Sequence, residues 1–575
     1  MLTQVAKIIA DTLQYVGVKR IYGMGGVGIN VLLNALNETS IRFIQTRNEE
    51  AAAFAAGGDA HLSKWLSVCC APANAGSIHL LNGLYDAHRN GSPVLCIATS
   101  NKQVCPGAQN YTFALQQAFS DCSCFCETVQ IPSQTEKLLG MAMQAALSQK
   151  GVAVLIIPED LFSQTTEFDV IRYYPHLSKG IVIPSEYELK EIADRINDSI
   201  KIVIYGGSGC LDAHEEVMAL AKKIKAPVGW AYRGKEALDF DNPYPIGMNG
   251  LLGDQSCLHA LYECDLLLLL GTDFAFTQFY PEDTYTIQID INGANLGKRH
   301  VIDFGVIGDV KQTLNILINM IDDKSNDIFA KENSQLYDNV RKHYTHIAKQ
   351  NNDELNSIYP EYLSYTLNQL IDKNAVVVSD VGTPWAYMAK YIDTYGTRKL
   401  YHSSLHGTMA NALSSSIGLQ AAAPDKQVVA MCGDGGFAML MGELLTIKQE
   451  KLPVKIIIFN NHRLDFVALE MKTEGLIDSF TDLKNPSFAD FAESIHIKGI
   501  RVEHPNALES AIQEAFDYNG PAVIDVHVNP NSLLMPPEIT LDMMYKFSKY
   551  IWKAFINGQS KTVWETFKPN FPRQL

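Results

Sequence analysis

A chain of 575 residues exceeds what one hydrophobic core usually spans, so three or four domains are expected. Its 47% hydrophobic and 19% charged content describes a globular protein, and a net charge of −16 excludes general nucleic-acid binding, which needs a basic surface. No apolar run approaches a membrane span, no charged-then-apolar leader pattern opens the chain, and the eleven cysteines show no zinc-like pairing.

Residues 1 to about 175 alternate helix and strand: a helix over Leu2–Val16, a strand at Arg20–Gly23, a helix to Leu36 and a strand at Arg42–Gln45. That alternation predicts a parallel sheet wrapped by helices. The turn Thr46-Arg47-Asn48-Glu49-Glu50 then opens an Ala-rich helix. Acids at a helix start complement the macrodipole, which by itself accounts for Glu49. Asn82–Ala98 reads as helix, turn and buried strand. Cys122, Cys124 and Cys126 stand at alternate positions without metal-spaced partners and read as strand or loop thiols of a reducing cytoplasm.

The aperiodic, proline-bearing stretch 171–185 is a linker. A second α/β unit follows over about 184–322. Its first strand, Ile202–Tyr205, runs into the glycine turn Gly206-Gly207-Ser208-Gly209, and Leu266–Leu270 reads as a core strand. Asp323 to Asn356 has helical apolar spacing (Ile328, Leu336, Val340, Tyr344, Ile347) and is expected to form a connecting surface helix.

The third unit, about 357–530, contains the most informative stretch. Gln427–Cys432 and Val454–Asn460 are short β-branched runs, and Gly433-Asp434-Gly435-Gly436 breaks the first and opens a helix through about Gln449. Both strand ends deliver polar residues to one edge of a parallel sheet, where open α/β folds bind ligands. Glycines admit a phosphate and the helix N-terminus offers it free N–H groups. Asp434 and Asn461 are hard oxygen ligands suited to a Mg²⁺ ion on that phosphate. Residues 531–575 form a tail: Leu541, Met544, Phe547, Ile551 and Phe555 recur at helical spacing, and from Met543 onward six basic side chains face one acid. A basic amphipathic helix with aromatics suits an anionic membrane surface, or a docking face on protein.

The Gly-Asp-Gly turn followed by Asn-Asn resembles the thiamin diphosphate motif. Nearly the whole chain resembles the flavin-dependent pyruvate oxidases, most of all their quinone-reducing branch. The resemblance implies an α/β protein of three doubly wound parallel-sheet domains and an amphipathic tail, with the pyrimidine half of thiamin diphosphate in 1–175, FAD in 184–322, and the diphosphate with Mg²⁺ in 357–530. Glu49 matches the glutamate that hydrogen-bonds the aminopyrimidine and promotes deprotonation of the thiazolium C2. In the family it comes from one subunit and the diphosphate site from another, which implies at least a dimer, with a tetramer as the expectation. Met409, in the loop His406-Gly407-Thr408-Met409, matches the bulky residue that bends the cofactor. Asp434, Asn461 and the carbonyl of Arg463 match the metal ligands, and Gly435, Gly436, His462, Leu464, Asp465 and Val467 line the same site. Phe466 matches a residue that enters the active site on activation. Asn249, Gly250, Leu251 and Leu252, with Thr272, Asp273, Phe274, Ala275 and Phe276, match flavin contacts, and Asp290 and Asp309 lie near its ribose and adenine; without a flavin these acids would cap strand ends.

The implied activity is oxidative decarboxylation of pyruvate to acetate and CO₂, with electrons passing through FAD to ubiquinone. The tail would bind anionic lipids on the inner face of the cell membrane, and the rest would be cytoplasmic. The sequence departs from the family at Gly23–Gly28, at Asn48 in place of a histidine, at Ala73–Ser77 in place of a Gly-Pro-Gly-Asn turn, and by lacking the usual Phe-Gln-Glu. A non-oxidative carboligase of the acetolactate synthase type, or a catalytically weak membrane-binding regulatory flavoprotein, stays open beside the oxidase reading.

Overall fold

The computed structural model describes residues 1–102, 113–178, 180–272, 274, 276–349, 357–532 and 549–550. Among the described residues, three six-stranded parallel sheets, each wrapped by helices, and one small antiparallel strand pair form the fold. In the first, the spatial order is Arg42–Gln45, Arg20–Gly23, Ser67–Ala71, Val94–Ser100, Val152–Pro158 and Phe125–Thr128. In the third it is Lys399–His402, Val376–Ser379, Val428–Gly433, Lys455–Asn460, Ala522–His527 and Lys498–Val502. Numbered within each unit, both read 2-1-3-4-6-5. The middle sheet runs Pro245–Met248, Val228–Trp230, Ile202–Gly206, Leu266–Leu270, Tyr285–Asp290 and Phe304–Ile307, an order of 3-2-1-4-5-6. That order is the dinucleotide-binding one. Wherever neighbouring strands lead away in opposite directions, their C-terminal ends leave a crevice for a ligand.

The first and third units share one core. Helix Glu49–Ser63 is made largely of alanine and glycine, so it is thin enough to lie against helix Asn411–Ala422 and still bury both. At Gly418 a Cβ would fall 1.8 Å from the carbonyl oxygen of Ala55, so only glycine fits there. The seam is fastened by Arg42 on Glu450 (2.7 Å) and by Glu443, which accepts from the Arg47 amide (3.0 Å) and the Thr446 hydroxyl (2.7 Å).

Three local expectations are corrected. Residues Leu2–Gln4 are a strand paired antiparallel with Thr165–Glu167, and the first helix is Val5–Tyr15; backbone pairing across the chain outweighs the local helical pattern there. The expected helix from Asp434 to Gln449 is broken by a tight turn at Met441–Glu443, which aims Glu443 at the seam. Helix Ile328–Lys349 connects the later units as expected, but Ile328 and Leu336 are exposed. Its inward face carries Ala330, Asn333 and Ala348, and polar tips bind across: the Tyr344 hydroxyl donates to Asp254 (2.8 Å) and Arg341 pairs with Asp393 (2.6 Å). The described cysteines are all free thiols, and among the described residues no helix is long and apolar enough to cross a membrane. Residues 103–112 and, apart from 549–550, the tail after residue 532 lie outside the described residues.

Candidate functional site

The third sheet brings the sequence motif together. Gly433 pairs with Phe459 across the sheet, so Asp434 and Asn461 emerge side by side at its C-terminal edge. Asp434 is only 2% exposed. Its carboxylate accepts from the Gly435 amide (2.9 Å) and the Asn485 side chain (3.1 Å), and the amides of Arg463 and His462 also face it. Burial pushes this carboxyl up to about 7, and the backbone amides of Gly435, Arg463 and His462 only partly oppose the shift. An acid so placed gains most from a cation, which restores its charged form.

Asn460 turns away and donates to Asp525 (2.8 Å) inside the sheet. Asn461 accepts from the Arg463 amide (3.1 Å), which fixes the turn at His462, whose φ is +56°. The Arg463 side chain is occupied elsewhere, on Asp478 (3.3 Å) and Asp482 (3.2 Å). Only its main chain is therefore left to serve the site. Leu464 and Leu483 are tied beside it by backbone hydrogen bonds from the Leu464 amide to Thr481 and from the Leu483 amide to His462, each 2.8 Å. Asp465 begins helix Asp465–Thr473, and burial raises its carboxyl to about 6; Phe466 is half-buried and Val467 is exposed on the same helix.

Gly435 and Gly436 have separate reasons to be glycine. A Cβ on Gly435 would lie 2.8 Å from Leu464 Cδ2 and 3.2 Å from Met409 Cε; one on Gly436 would lie 2.3 Å from Asp380 Oδ2. Met409, Leu464 and Leu483 thus form an apolar wall directly beside the polar corner of Asp434 and Asn461. Gly407 takes φ +77° with open space around it, and Thr408 follows it into the turn that leads to Met409. Asp380, at the end of Val376–Ser379, accepts from the Ala412 amide (2.9 Å), while its Oδ2 is buried without a partner. Neither Asp380 nor Asn485 was singled out as a site residue by sequence reasoning. The loop Asp380–Trp385 resembles a cofactor-site loop of the family, but Asn485 arrives from 51 residues beyond Asp434 with no local signal.

Glu49 lies at the C-terminal edge of the first sheet, opening helix Glu49–Ser63. It is 6% exposed, and its Oε2 lies 3.0 Å from His79 Nδ1, a partner that sequence reasoning missed. The departure at Asn48 has a local cause: its side chain caps the helix by accepting from the Glu50 amide (2.8 Å). Among the described residues no hydrogen bond joins Glu49 to the Asp434 corner of the same chain.

In the middle unit, Asn249 donates to the Phe279 carbonyl (2.9 Å), and its Oδ1 is buried and unpartnered. Gly250 has φ +99° and packs under Phe274 and Phe276; Leu251 is exposed and Leu252 buried. Thr272 is buried against Gly207. The glycine turn at 206–209 packs on Gly271, since a Cβ on Gly209 would fall 2.6 Å from Gly271 Cα. Asp290 accepts from the Asn292 amide (2.8 Å) and Asp309 from the Gln312 amide (2.9 Å), so both acids cap local turns. Asp273 and Ala275 lie outside the described residues.

The residues present fit the cofactors differently. One carboxylate, one amide and one main-chain carbonyl suit a divalent cation that keeps phosphate and water as its other ligands. Among the described residues no cluster of three or more His, Cys, Asp or Glu forms an all-protein metal site. For the flavin, the orphaned Asn249 Oδ1 beside a left-handed glycine is an acceptor awaiting a donor.

Family models match all three units: the N-terminal TPP binding domain of thiamine pyrophosphate enzymes over residues 3–119, their central domain over 189–317, and their C-terminal TPP binding domain over 380–526. A thiamine pyrophosphate-containing protein of Bacillus subtilis (strain 168), YdaP, is 34% identical over 96% of both chains. The pyruvate oxidase of Lactiplantibacillus plantarum is 25% identical, covering 92% of this chain and 89% of its own. The acetolactate synthase isozyme 2 large subunit of Escherichia coli (strain K12) is 26% identical, covering 94% and 100%.

Proposed function

From the premise that this chain belongs to the thiamine pyrophosphate enzyme family, we propose that it oxidatively decarboxylates pyruvate. In the overall reaction pyruvate, water and a quinone give acetate, CO₂ and the quinol, so two electrons leave the substrate and reduce the acceptor. When bound, thiamin diphosphate would supply a carbon nucleophile able to hold the electron pair released by decarboxylation, and FAD would supply a two-electron acceptor.

The chain's own residues do the positioning. Asp434, Asn461 and the main chain of Arg463 would hold Mg²⁺ with the diphosphate, and Gly435 and Gly436 would let the phosphates approach a helix start. Met409 and Leu464 form the apolar wall that would exclude water from the cofactor's reacting end and restrict how it sits, and such positioning offsets part of an entropic barrier. Glu49, held dry and aligned by His79, manages the proton at the aminopyrimidine. By the family resemblance, the working site would be completed by Glu49 of a second copy. Asn249 to Leu252, Thr272, Phe274 and Phe276 hold the flavin. Ubiquinone is the acceptor, reached when the basic tail brings the enzyme to anionic lipids on the inner face of the cell membrane.

The observation that carries the thiamin part is the convergence of Asp434, Asn461 and Met409 at one sheet edge. The redox part is supported by the 3-2-1-4-5-6 middle sheet and the orphaned Asn249 oxygen. The similar identity of acetolactate synthases favours carboligation as a second reading. An anaerobic visible spectrum, with thiamin diphosphate and Mg²⁺, recorded before and after adding pyruvate, separates the two. Bleaching of a flavin band is the expected result. A band that stays yellow while acetolactate accumulates overturns the oxidase reading.

A further inference from the structure

Helix Leu81–Asn90 belongs to the first unit, yet one side of it runs along a loop of the third. Asn90 donates to the His402 carbonyl (3.3 Å), Tyr85 stacks on His406 with ring centroids 5.6 Å apart, and Asn82 meets both His406 and Thr408. Positions 82, 85 and 89 follow helical spacing, so a single stripe faces the loop that ends at Met409. Arg89 extends the stripe, its guanidinium lying over the Tyr85 ring at 5.6 Å.

The amide of Asn82 is fully used. Its Nδ2 donates to Glu50 Oε1 (2.6 Å) and to Thr408 Oγ1 (3.0 Å), and its Oδ1 lies 2.8 Å from His406 Nε2. Since both amide hydrogens are committed, Oδ1 is the acceptor and His406 carries its proton on Nε2. The His406 Nδ1 is buried and unpartnered, which fits a neutral ring. Thr408, accepting from Asn82, passes its own hydroxyl hydrogen to the Met409 carbonyl (3.0 Å). The loop is thus held one residue before the side chain that touches Gly435. The helix that offers Asn82 is itself fixed: a Cβ on Gly83 would lie 2.8 Å from the Glu50 carbonyl oxygen, so it sits hard on the Glu49 helix.

We propose that Asn82 is the positioning residue of the thiamin site: through its amide, helix Leu81–Asn90 splints the loop His406–Met409 and sets where Met409 stands. No other side chain of this size supplies two donors and one acceptor in one plane. Aspartate would present acceptors alone to Glu50, and leucine nothing. The inference rests on Met409 being the residue against the bound cofactor, and it does not depend on which keto acid is consumed.

The test is the rate at which the C2 proton of bound thiamin diphosphate exchanges with deuterium, measured with Mg²⁺ and without substrate. For Asn82→Leu, exchange slows by about tenfold or more, because a small displacement of a positioning group costs that much. The Kd for thiamin diphosphate moves less than about threefold, because the diphosphate corner at Asp434 is untouched. Asn82→Asp slows exchange similarly, and adding Glu50→Gln to it recovers much of the loss, since the glutamine amide donates where Asn82 had donated. Exchange within about twofold of the unsubstituted protein in a folded Asn82→Leu variant overturns the proposal. If Asn82→Leu does not fold, the Asn82→Asp and Glu50→Gln pair decides, and absence of recovery overturns it. An unsubstituted protein that exchanges C2 but turns over no keto acid overturns the proposed function alone.

Discussion

Glu443 shows how a single buried acid records the seam between two domains. It is 1% exposed, and burial raises its carboxyl from 4.5 to about 7, while the Thr446 hydroxyl and the Arg47 and Asn48 amides pull it back down. A folded-state pKa raised above the unfolded value means that folding takes up a proton between those limits. The stability this group contributes is full below pH 4.5 and is lost as pH rises through about 7. The loss amounts to roughly 3 kcal/mol across the window, at about 1.4 kcal/mol per unit. Glu443→Gln removes the titration and keeps one acceptor for the Arg47 amide. Its stability relative to the unsubstituted protein therefore climbs by roughly that amount between pH 5 and pH 8. Urea midpoints measured at the two pH values check this, and parallel profiles would refute it.

At the scale of the element, the two all-buried helices Glu49–Ser63 and Asn411–Ala422 depend on missing side chains. Gly418→Ala sets a methyl group into the Ala55 carbonyl and must push the helices apart, at a cost of at least about 2 kcal/mol. Gly442→Ala is the internal control, because nothing lies within 4 Å of its added Cβ. The expected outcome is a clear fall in melting temperature for the first and almost none for the second. Equal melting temperatures would show that the seam is looser than the backbone contact implies.

The same seam explains what the sequence disclosed and what it withheld. The strands Val428–Gly433 and Lys455–Asn460 and the turn at Asp434 were legible because β-branched runs and glycines act locally. The three parallel sheets followed from strand and helix alternating along the chain. The turn at Met441–Glu443 was not legible, because the partner it serves, the Arg47 amide on Glu443, lies almost 400 residues earlier. His79, Asn82 and Asn485 were hidden for the same reason: each acts through a partner distant in sequence. Asn48 looked like a departure at the active site, and the structure supplies a capping role that any helix could require.

At the scale of the whole molecule, the proposal that Glu49 and Asp434 of one working site come from different copies can be tested directly. If each working site takes Glu49 from one copy and Asp434 from another, a closed symmetric dimer has two such sites. Glu49→Gln would then disable the proton step while leaving flavin bound, and Asp434→Ala would disable metal and diphosphate binding. Each variant alone has no intact site. Mixing them by co-expression changes the count: in a mixed dimer both defects fall in one site, and the other receives an unsubstituted Glu49 and an unsubstituted Asp434. Half of randomly paired dimers are mixed and each holds one good site of two, so about a quarter of full activity returns. Sites built within single chains would give none, because every chain in the mixture carries one of the two lesions. Turnover of pyruvate by the co-expressed pair, against each variant alone, therefore tests the shared site without requiring an image of the assembly.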